Sequence, residues 1–138
     1  FSENYYLPRL TVPNTVNTLG TACFQYCDSL TEVTFEDGGE DITKQEQMDA
    51  PFQYCISLTK AKMGNRFKAL GRQMFAHTMI YELDLSGCDF IPYGKTNPIG
   101  QDTPLNYGYG KIIVKQNLTD KYKEAEGWSK FKDIIVGQ

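Results

Sequence analysis

The sequences FQYCDSLTEVTF (Phe24–Phe35) and FQYCISLTKAKM (Phe52–Met63) carry the letters F, Q, Y, C, S, L and T at the same places. A shorter copy, FAHTMIYELDL, begins at Phe75. The second copy follows the first after 28 residues and the third follows after 23, and the polar insertion EDGGEDITKQEQ (36–47) contains the extra residues. Repetition at a period of about 20–50 residues predicts a stack of similar structural units.

Each of the three copies, and the stretch Leu7–Val12 ahead of them, carries the pattern L-x-x-L-x-L, which places apolar residues on one side of a short strand. The residues in these positions are Leu7, Leu10 and Val12, then Leu30, Val33 and Phe35, then Leu58, Ala61 and Met63, and in a variant Tyr81, Leu83 and Leu85. The pattern and period are typical of leucine-rich repeats, in which each unit adds one strand to a parallel sheet. We therefore predict an α/β-type solenoid with repeats of about 23 residues, a short parallel β-sheet and a C-terminal capping helix.

The repeats and the C-terminal segment are predicted to form one domain. Leucine-rich repeats occupy residues 1–85, with strands near 7–12, 30–35, 58–63 and 81–85. Residues 86–138 supply an irregular loop, a last strand (KIIVK, 111–115) and a helical C-terminal cap. Turn-forming residues dominate the loop. The apolar side chains expected to anchor it are Phe90, Ile91, Ile99 and Leu105.

The stretch NLTDKYKEAEGW (117–128) predicts the capping helix. Asn117 or Thr119 is the expected N-cap residue, and Gly127 lies just past the expected end. Apolar residues at helical spacing are expected to cover the end of the core, together with three that follow the helix. These residues are Leu118, Tyr122 and Ala125, followed by Trp128, Phe131 and Ile134.

The composition argues against several classes of function. The net charge is -3, and no basic stripe indicates a nucleic-acid partner. The apolar runs are far shorter than a membrane span. The chain has one histidine, and its four cysteines lack the spacing of a metal site. We therefore predict no enzyme activity, no metal and no cofactor. Because residue 1 is Phe rather than Met, we expect a processed or excised piece of a larger protein, and the composition leaves its destination open.

The outward strand positions form two rows across the predicted sheet. The first row is Arg9, Glu32, Lys60 and Glu82, and the second is Thr11, Thr34, Lys62 and Asp84. Opposite charges alternate along the first row, and such neighbours lie side by side in a parallel sheet. One interpretation, which we favour, is a solvated face whose charges compensate each other. The other is a ligand-binding face, because solenoid sheets offer extended binding surfaces.

Tyrosines gather at the start of the chain and in the irregular loop. They are Tyr5, Tyr6, Tyr93, Tyr107 and Tyr109. Exposed tyrosines beside Gly and Asn suit stacking against sugars or a protein interface. They equally suit anchoring of the loop. Tyr93, Tyr107 and Tyr109 are therefore candidate ligand contacts.

The residues best suited to chemistry, cysteine and histidine, occupy repeat positions that indicate packing. Cys27 and Cys55 take the same place in consecutive repeats. Strands about 4.8 Å apart would bring them within disulfide range. A buried cysteine also packs well as a small apolar residue, and we favour reduced thiols. His77 takes the place of Tyr26 and Tyr54, which predicts a surface residue of the repeat arm rather than a catalytic base.

Two long stretches of the sequence follow the pattern of a known family. LTVPNTVNTLGTACFQYCDSLTEVTF (Leu10–Phe35) combines a strand, a proline turn, an arm with cysteine and a second strand. IIVKQNLTDKYKEAEGWSKFKDII (Ile112–Ile135) combines a closing strand with a helix and a tryptophan. Both resemble the BspA-like leucine-rich-repeat family of bacterial, largely gut and oral, cell-surface proteins. The chain departs from the pattern in the polar insertion and at Lys115, where the family usually has proline.

The resemblance implies a place at the cell surface or secretion, and a role in adhesion or recognition. The implied partner is a host or bacterial surface protein or a glycan. It implies no catalytic residues. We therefore predict a non-catalytic module for protein or glycan binding. The alternative is a structural spacer that presents another part of a larger surface protein, or a phage protein that recognises a receptor.

Overall fold

The structure, a computed structural model, describes residues 6–39, 49–70, 72–93 and 97–138. In these residues six parallel strands form one sheet, in the same order as along the chain. The strands are β1 (Arg9–Val12), β2 (Glu32–Phe35), β3 (Lys60–Lys62), β4 (Glu82–Asp84), β5 (Lys111–Val114) and β6 (Ile135–Gly137). Successive parallel neighbours are the arrangement of a repeat solenoid, and the predicted fold class is confirmed.

The inward residues of the strands form the core side of the sheet. Val33, Ala61, Leu83 and Ile112 are register partners across β2 to β5, and each is at most 2% exposed. Strands β1 to β4 lie within the segments expected from the repeat pattern. Residues 40–47 of the polar insertion lie outside the described residues, as does Tyr5.

The assignment of Tyr81 to the inward pattern is wrong. Tyr81 is 41% exposed, whereas Ile80 is fully buried. The reason is the missing residue of the third copy: Ile80 follows Thr78 after one residue, so it reaches the core place that Leu30 and Leu58 occupy. Its backbone N–H donates to the Thr78 hydroxyl at 3.3 Å.

A second set of backbone hydrogen bonds joins the repeats on the arm that precedes each strand, and we call it the arm ladder. The N–H of Tyr26 donates to Gln53 O at 3.3 Å, and the N–H of Tyr54 donates to Ala76 O at 3.2 Å. The N–H of His77 donates to the carbonyl of residue 101 at 3.0 Å. The repeats are therefore held in register on two sides, once by the sheet and once by the arm ladder.

Stacked aromatic rings fill the core between the sheet and the arm ladder. The ring centroids of Phe24 and Phe52 lie 5.2 Å apart, and those of Phe52 and Phe75 lie 5.6 Å apart. Phe35 meets Phe52 edge to face at 6.2 Å. Because equivalent residues of successive repeats lie side by side, the phenylalanine that begins each copy yields a continuous row of rings.

The C-terminal cap is more broken than the expected single helix. It consists of a 3-10 turn (Gln116–Leu118), helix α1 (Thr119–Glu124), a second 3-10 helix (Ser129–Ile134) and β6. The N-cap prediction is wrong: Leu118 is the N-cap residue and makes no side-chain capping bond. Thr119 is already helical because the preceding 3-10 turn leads directly into α1. The helix ends at Glu124, before the expected Gly127.

The cap covers the end of the core with its aromatic residues. Tyr122 and Trp128 are fully buried and meet edge to face at 5.4 Å. The indole Nε1 of Trp128 donates to the carbonyl of Pro92 at 2.9 Å, which ties the cap to the irregular loop. Leu118 and Phe131 are also buried.

Three of the four expected loop anchors contact the core. Ile99 and Leu105 are buried, and Ile91 is partly buried against the core. Phe90 is 38% exposed, so its assignment as an anchor is wrong. Phe90 and Ile91 face different surroundings, and the side chain of Ile91 takes the place at the core.

Candidate functional site

The outward face of the sheet contains the two expected rows of side chains. Arg9, Glu32, Lys60 and Glu82 are register partners, and Lys111 of β5 continues the alternation of charge. Arg9 Nε lies 3.7 Å from Glu32 Oε2, and Lys111 Nζ lies 3.5 Å from Glu82 Oε1. Such exposed pairs contribute little to stability. Their charges nevertheless compensate each other along the row.

The second row changes from polar to apolar along the sheet. Its register partners are Thr11, Thr34, Lys62, Asp84, Ile113 and Val136. Asp84 lies beside Lys62, but its Oδ1 accepts from the backbone N–H of Ser86 at 2.8 Å and from the Ser86 hydroxyl at 2.6 Å. Lys62 is exposed.

Two of the three candidate tyrosines lie together at a groove. Tyr107 and Tyr109 are each 70% exposed and line a cavity of about 510 Å³. Tyr93 is 58% exposed but lies outside this cavity, where its backbone forms an isolated bridge with Ala69. Tyr6 is 92% exposed. Of the three candidate tyrosines, Tyr107 and Tyr109 therefore line the groove and Tyr93 does not.

One side of the groove is the end of a column of stacked rings. The ring centroids of Tyr26 and Tyr54 lie 5.2 Å apart, and those of Tyr54 and His77 lie 4.6 Å apart, nearly parallel in both cases. The three residues have φ angles of 61°, 62° and 58°, and Asp102 follows them with 61°. This left-handed backbone conformation is energetically unfavourable for residues other than Gly, Asn and Asp. The arm ladder holds it at each repeat.

His77 and Asp102 form a hydrogen-bonded pair in the groove. His77 Nδ1 lies 3.0 Å from Asp102 Oδ2, and His77 Nε2 lies 3.4 Å from the side-chain nitrogen of Gln101. A neutral imidazole with its proton on Nδ1 satisfies both contacts, because Nδ1–H donates to the carboxylate and Nε2 accepts from the amide. The expectation that His77 lies on the arm agrees with this position.

An apolar row lies beside the ring column, and it consists of Ile56, Met79 and Pro104. Ile56 and Met79 follow Tyr54 and His77 of the column by two positions, and Pro104 follows Asp102 by two positions. Ile56 is 57% exposed and Met79 is 53% exposed. Asp28 occupies the same place in the first copy. Large apolar side chains are thus exposed where a polar residue would fit, and adjacent exposed apolar side chains mark binding surfaces.

The tyrosine loop (104–110) closes the groove. It begins with a 3-10 helix (Pro104–Tyr107), whose N-cap residue Thr103 forms a reciprocal capping box with Asn106. Gly108 and Gly110 have φ angles of 84° and 94° and flank Tyr109. A Cβ on Gly110 would collide with the backbone carbonyl of Tyr81. Glycine is therefore required for the loop to approach the last repeat so closely.

Only part of this site was predicted from the sequence. Tyr107 and Tyr109 were candidate ligand contacts, but Asp102 and the apolar row were not. A usable indication was present, because Ile56 and Met79 occupy a place where the first copy has a charged residue. Asp102 could not be found in this way. The irregular loop does not follow the repeat pattern, so the position equivalent to His77 cannot be identified in it by counting residues.

The cysteines have the character of packing residues. None of the four forms a disulfide, and Cys27, Cys55 and Cys88 are fully buried. The Cys55 thiol donates to Phe24 O at 3.0 Å, and the Cys88 thiol donates to Gly64 O at 3.1 Å. Burial raises the pKa of Cys55 to about 12 and that of Cys88 to about 11. Both thiols are therefore protonated and poorly nucleophilic near neutral pH.

The described part of the chain contains neither a metal-binding cluster nor a membrane-spanning helix. Residues 6–39, 49–70, 72–93 and 97–138 contain no group of three His, Cys, Asp or Glu side chains that could hold a metal ion. No helix within those ranges is long and apolar enough to cross a membrane.

Residues 1–94 match the family model described as BspA type leucine rich repeat region (6 copies). The chain belongs to this BspA-type family. The resemblance inferred from the sequence is confirmed. No curated protein matches the chain. The BspA-type match includes β1 to β4, the ring column, Ile56 and Met79, but it ends before Asp102 and the tyrosine loop. The groove thus joins repeat residues to a segment outside the matched region.

Proposed function

We propose that this protein is a non-catalytic leucine-rich-repeat module of a cell-surface or secreted protein, and that it binds a protein or a glycan. The partner would be a host or bacterial surface molecule. Proteins of the BspA type are typically surface proteins, which supports the location. One observation carries the binding role: Ile56, Met79, Tyr107 and Tyr109 expose large side chains around one groove.

A binding role fits the polar groups of the groove better than catalysis does. In an acyl-transfer site, the histidine nitrogen opposite the carboxylate accepts a proton from a hydroxyl or thiol nucleophile. Here His77 Nε2 faces the amide of Gln101. The neighbouring hydroxyl of Thr78 donates to the Phe75 carbonyl at 2.8 Å. The family is also usually non-catalytic.

The outward sheet face is a second candidate surface for the same role. Its residues are Arg9, Glu32, Thr34, Lys60, Lys62, Glu82 and Asp84. The observation in its favour is that Lys62 is exposed while its neighbour Asp84 is engaged by Ser86. Compensation of charge in the first row makes this surface the weaker candidate.

A binding screen at physiological salt tests the proposal. The purified protein is presented to mucin glycans, extracellular-matrix proteins and bacterial polysaccharides, with Tyr109→Ala and Tyr93→Ala as a matched pair of exposed tyrosines. We expect Tyr109→Ala to weaken binding about tenfold or more, because exposed tyrosines at interfaces are frequent hot spots. Tyr93→Ala should bind like the wild type. Equal affinity in both variants, or no binding across the panel, would contradict the groove as the site.

A further inference from the structure

We propose that the groove recognises a basic segment of a partner protein, in which a Lys or Arg side chain meets Asp102 and an adjacent apolar side chain contacts Ile56 and Met79. This inference rests on the proposed binding function and specifies its ligand. It follows from three properties of the groove, namely its charge, its aromatic rim and the state of its hydroxyl groups.

The charge of the groove selects a cation. Among the described residues that line it, Asp102 is the only Asp, Glu, Lys or Arg. The Asp102 side chain is 61% exposed, and its Oδ2 accepts from His77. Within the described part of the chain, no hydrogen bond reaches its Oδ1. An exposed carboxylate with one open oxygen is the complement of an ammonium or guanidinium group.

The rim of the groove favours the same group. Tyr107 and Tyr109 expose most of their side chains, and the tyrosine loop fixes their backbone through Thr103 and the flanking glycines. The faces of tyrosine rings attract cations, and guanidinium groups in particular stack on them. A basic side chain entering the groove would thus meet a carboxylate at one contact and aromatic faces at another.

The remaining lining is better suited to a peptide than to a sugar. A bound saccharide needs many hydrogen bonds, but the hydroxyls of Thr78 and Thr103 are buried and occupied. Thr78 Oγ1 donates to Phe75 O at 2.8 Å, and Thr103 Oγ1 donates to Asn106 Oδ1 at 2.8 Å. Ile56 and Met79 offer exposed apolar contact instead, and methionine adapts to varied apolar partners.

The size and rigidity of the groove agree with a short segment as ligand. Its volume of about 510 Å³ lies in the usual range for binding pockets, roughly 300–1,000 Å³. Two of its sides come from successive repeats held by the arm ladder. A preformed site loses little conformational freedom on binding.

The test uses short random peptides displayed on phage and selected on the wild-type protein. Asp102→Asn is the decisive variant, because asparagine tolerates the left-handed backbone at this position and its oxygen can still accept from His77. Asp89→Asn is the control, since Asp89 is also an exposed carboxylate with one side-chain partner, here Lys115, and does not line the groove. Selected peptides are then resynthesised with citrulline for Arg or norleucine for Lys.

We expect the selected peptides to carry Lys or Arg beside an apolar residue. Asp102→Asn and the neutral peptides should each weaken binding about tenfold or more, as for loss of a charge-assisted hydrogen bond. The two changes combined should cost little more than either alone, because they remove the same contact. Asp89→Asn should bind like the wild type.

The outcomes separate this inference from the binding function on which it rests. Neutral peptides or a neutral oligosaccharide whose binding is lost in Tyr109→Ala but kept in Asp102→Asn would overturn the basic segment and leave the groove as the site. Selected peptides that bind Tyr109→Ala and Asp102→Asn as well as the wild type would overturn both. No enrichment of any peptide would overturn the inference that the ligand is a basic segment.

Discussion

The outward face of the sheet and the groove are built by the same repeat, yet they handle their neighbours in opposite ways. On the sheet, residues of opposite charge follow one another, as from Arg9 to Glu32, and the row compensates itself. At the arm, like stacks on like, as from Tyr26 to Tyr54, and large apolar side chains stay exposed beside the rings. In-register stacking places the side chains of equivalent repeat positions next to each other, so their charge or apolar character extends along the whole stack. A compensated position leaves a charge-balanced face, and an uncompensated one leaves aromatic and apolar side chains exposed.

The strongest way to break this comparison is to remove what both surfaces share. Phe52 is fully buried and stacks between Phe24 and Phe75. Phe52→Ala should lower the free energy of unfolding by about 3–5 kcal/mol, through lost burial and the cavity left behind. Urea unfolding monitored by circular dichroism measures the change. Ile56→Ala, at an exposed position four residues later, should change it by less than about 0.5 kcal/mol. Similar losses in the two variants would contradict the shared core.

A glycine pair tests whether the groove depends on close approach of its loop to the last repeat. Gly110→Ala should destabilise the protein by about 1–3 kcal/mol, because the new Cβ meets the Tyr81 carbonyl and the backbone is left-handed. Gly108→Ala is the control, since it is also left-handed but its Cβ would have nothing within 4 Å. Unfolding free energies of the two variants give the comparison. A larger loss in Gly108→Ala would contradict the close contact.

Binding by surface variants sharpens the contrast between the two faces. The double variant Lys60→Glu/Lys62→Glu reverses the charge of the sheet face, whereas Tyr109→Ala alters only the groove. For ligands found in the screen, we expect Tyr109→Ala to lower affinity about tenfold and the double variant to change it less than twofold. Titration by calorimetry measures both. The reverse result would assign binding to the sheet face.

The sequence could predict whatever repeats, and little of what does not. The strand register and the charge row follow from counting along the copies, and the structure places Glu32, Lys60 and Glu82 side by side. Ile80 was missed because the third copy is one residue shorter, which shifts the residue that reaches the core. The mistake was local, since β4 still pairs in the expected register.

The groove was predicted less well because its residues come from two kinds of structure. Tyr54 and His77 occupy equivalent positions of two repeats, but Asp102, which lies next to His77, belongs to the irregular loop. The sequence of the loop does not indicate that Asp102 continues the series of Tyr54 and His77. The hydrogen bond from the His77 N–H to the residue 101 carbonyl shows that the arm ladder continues there, and this bond follows from the fold rather than from a repeated sequence pattern. Composition alone likewise left Tyr93 and Tyr109 indistinguishable.

The buried thiols predict a loss of stability in alkali. An exposed thiol has a pKa of 9.0, and burial raises the pKa of Cys55 to about 12. Between these values the folded state binds more protons than the unfolded state. The stability from Cys55 is therefore complete below pH 9 and is lost as the pH rises toward 12. Urea midpoints at about pH 8 and about pH 11 should differ more in the wild type than in Cys55→Thr. Threonine is chosen because Thr78 occupies the equivalent position of the next repeat. An equal shift would contradict a protonated thiol at Cys55.

The smallest expected effect concerns the charge row itself. Glu82→Gln removes the ion pair with Lys111, whose Nζ lies 3.5 Å away at a partly exposed site. We expect a loss of less than about 0.5 kcal/mol at low salt and no measurable loss at about 1 M salt, since exposed pairs are weak and screened. Urea unfolding at both salt concentrations measures it, and Lys111→Gln is the matched control for the same pair. A loss that persists at high salt would mean that the row stabilises the sheet by packing. The contrast between a compensated sheet and a stacked arm would then rest on shape rather than charge.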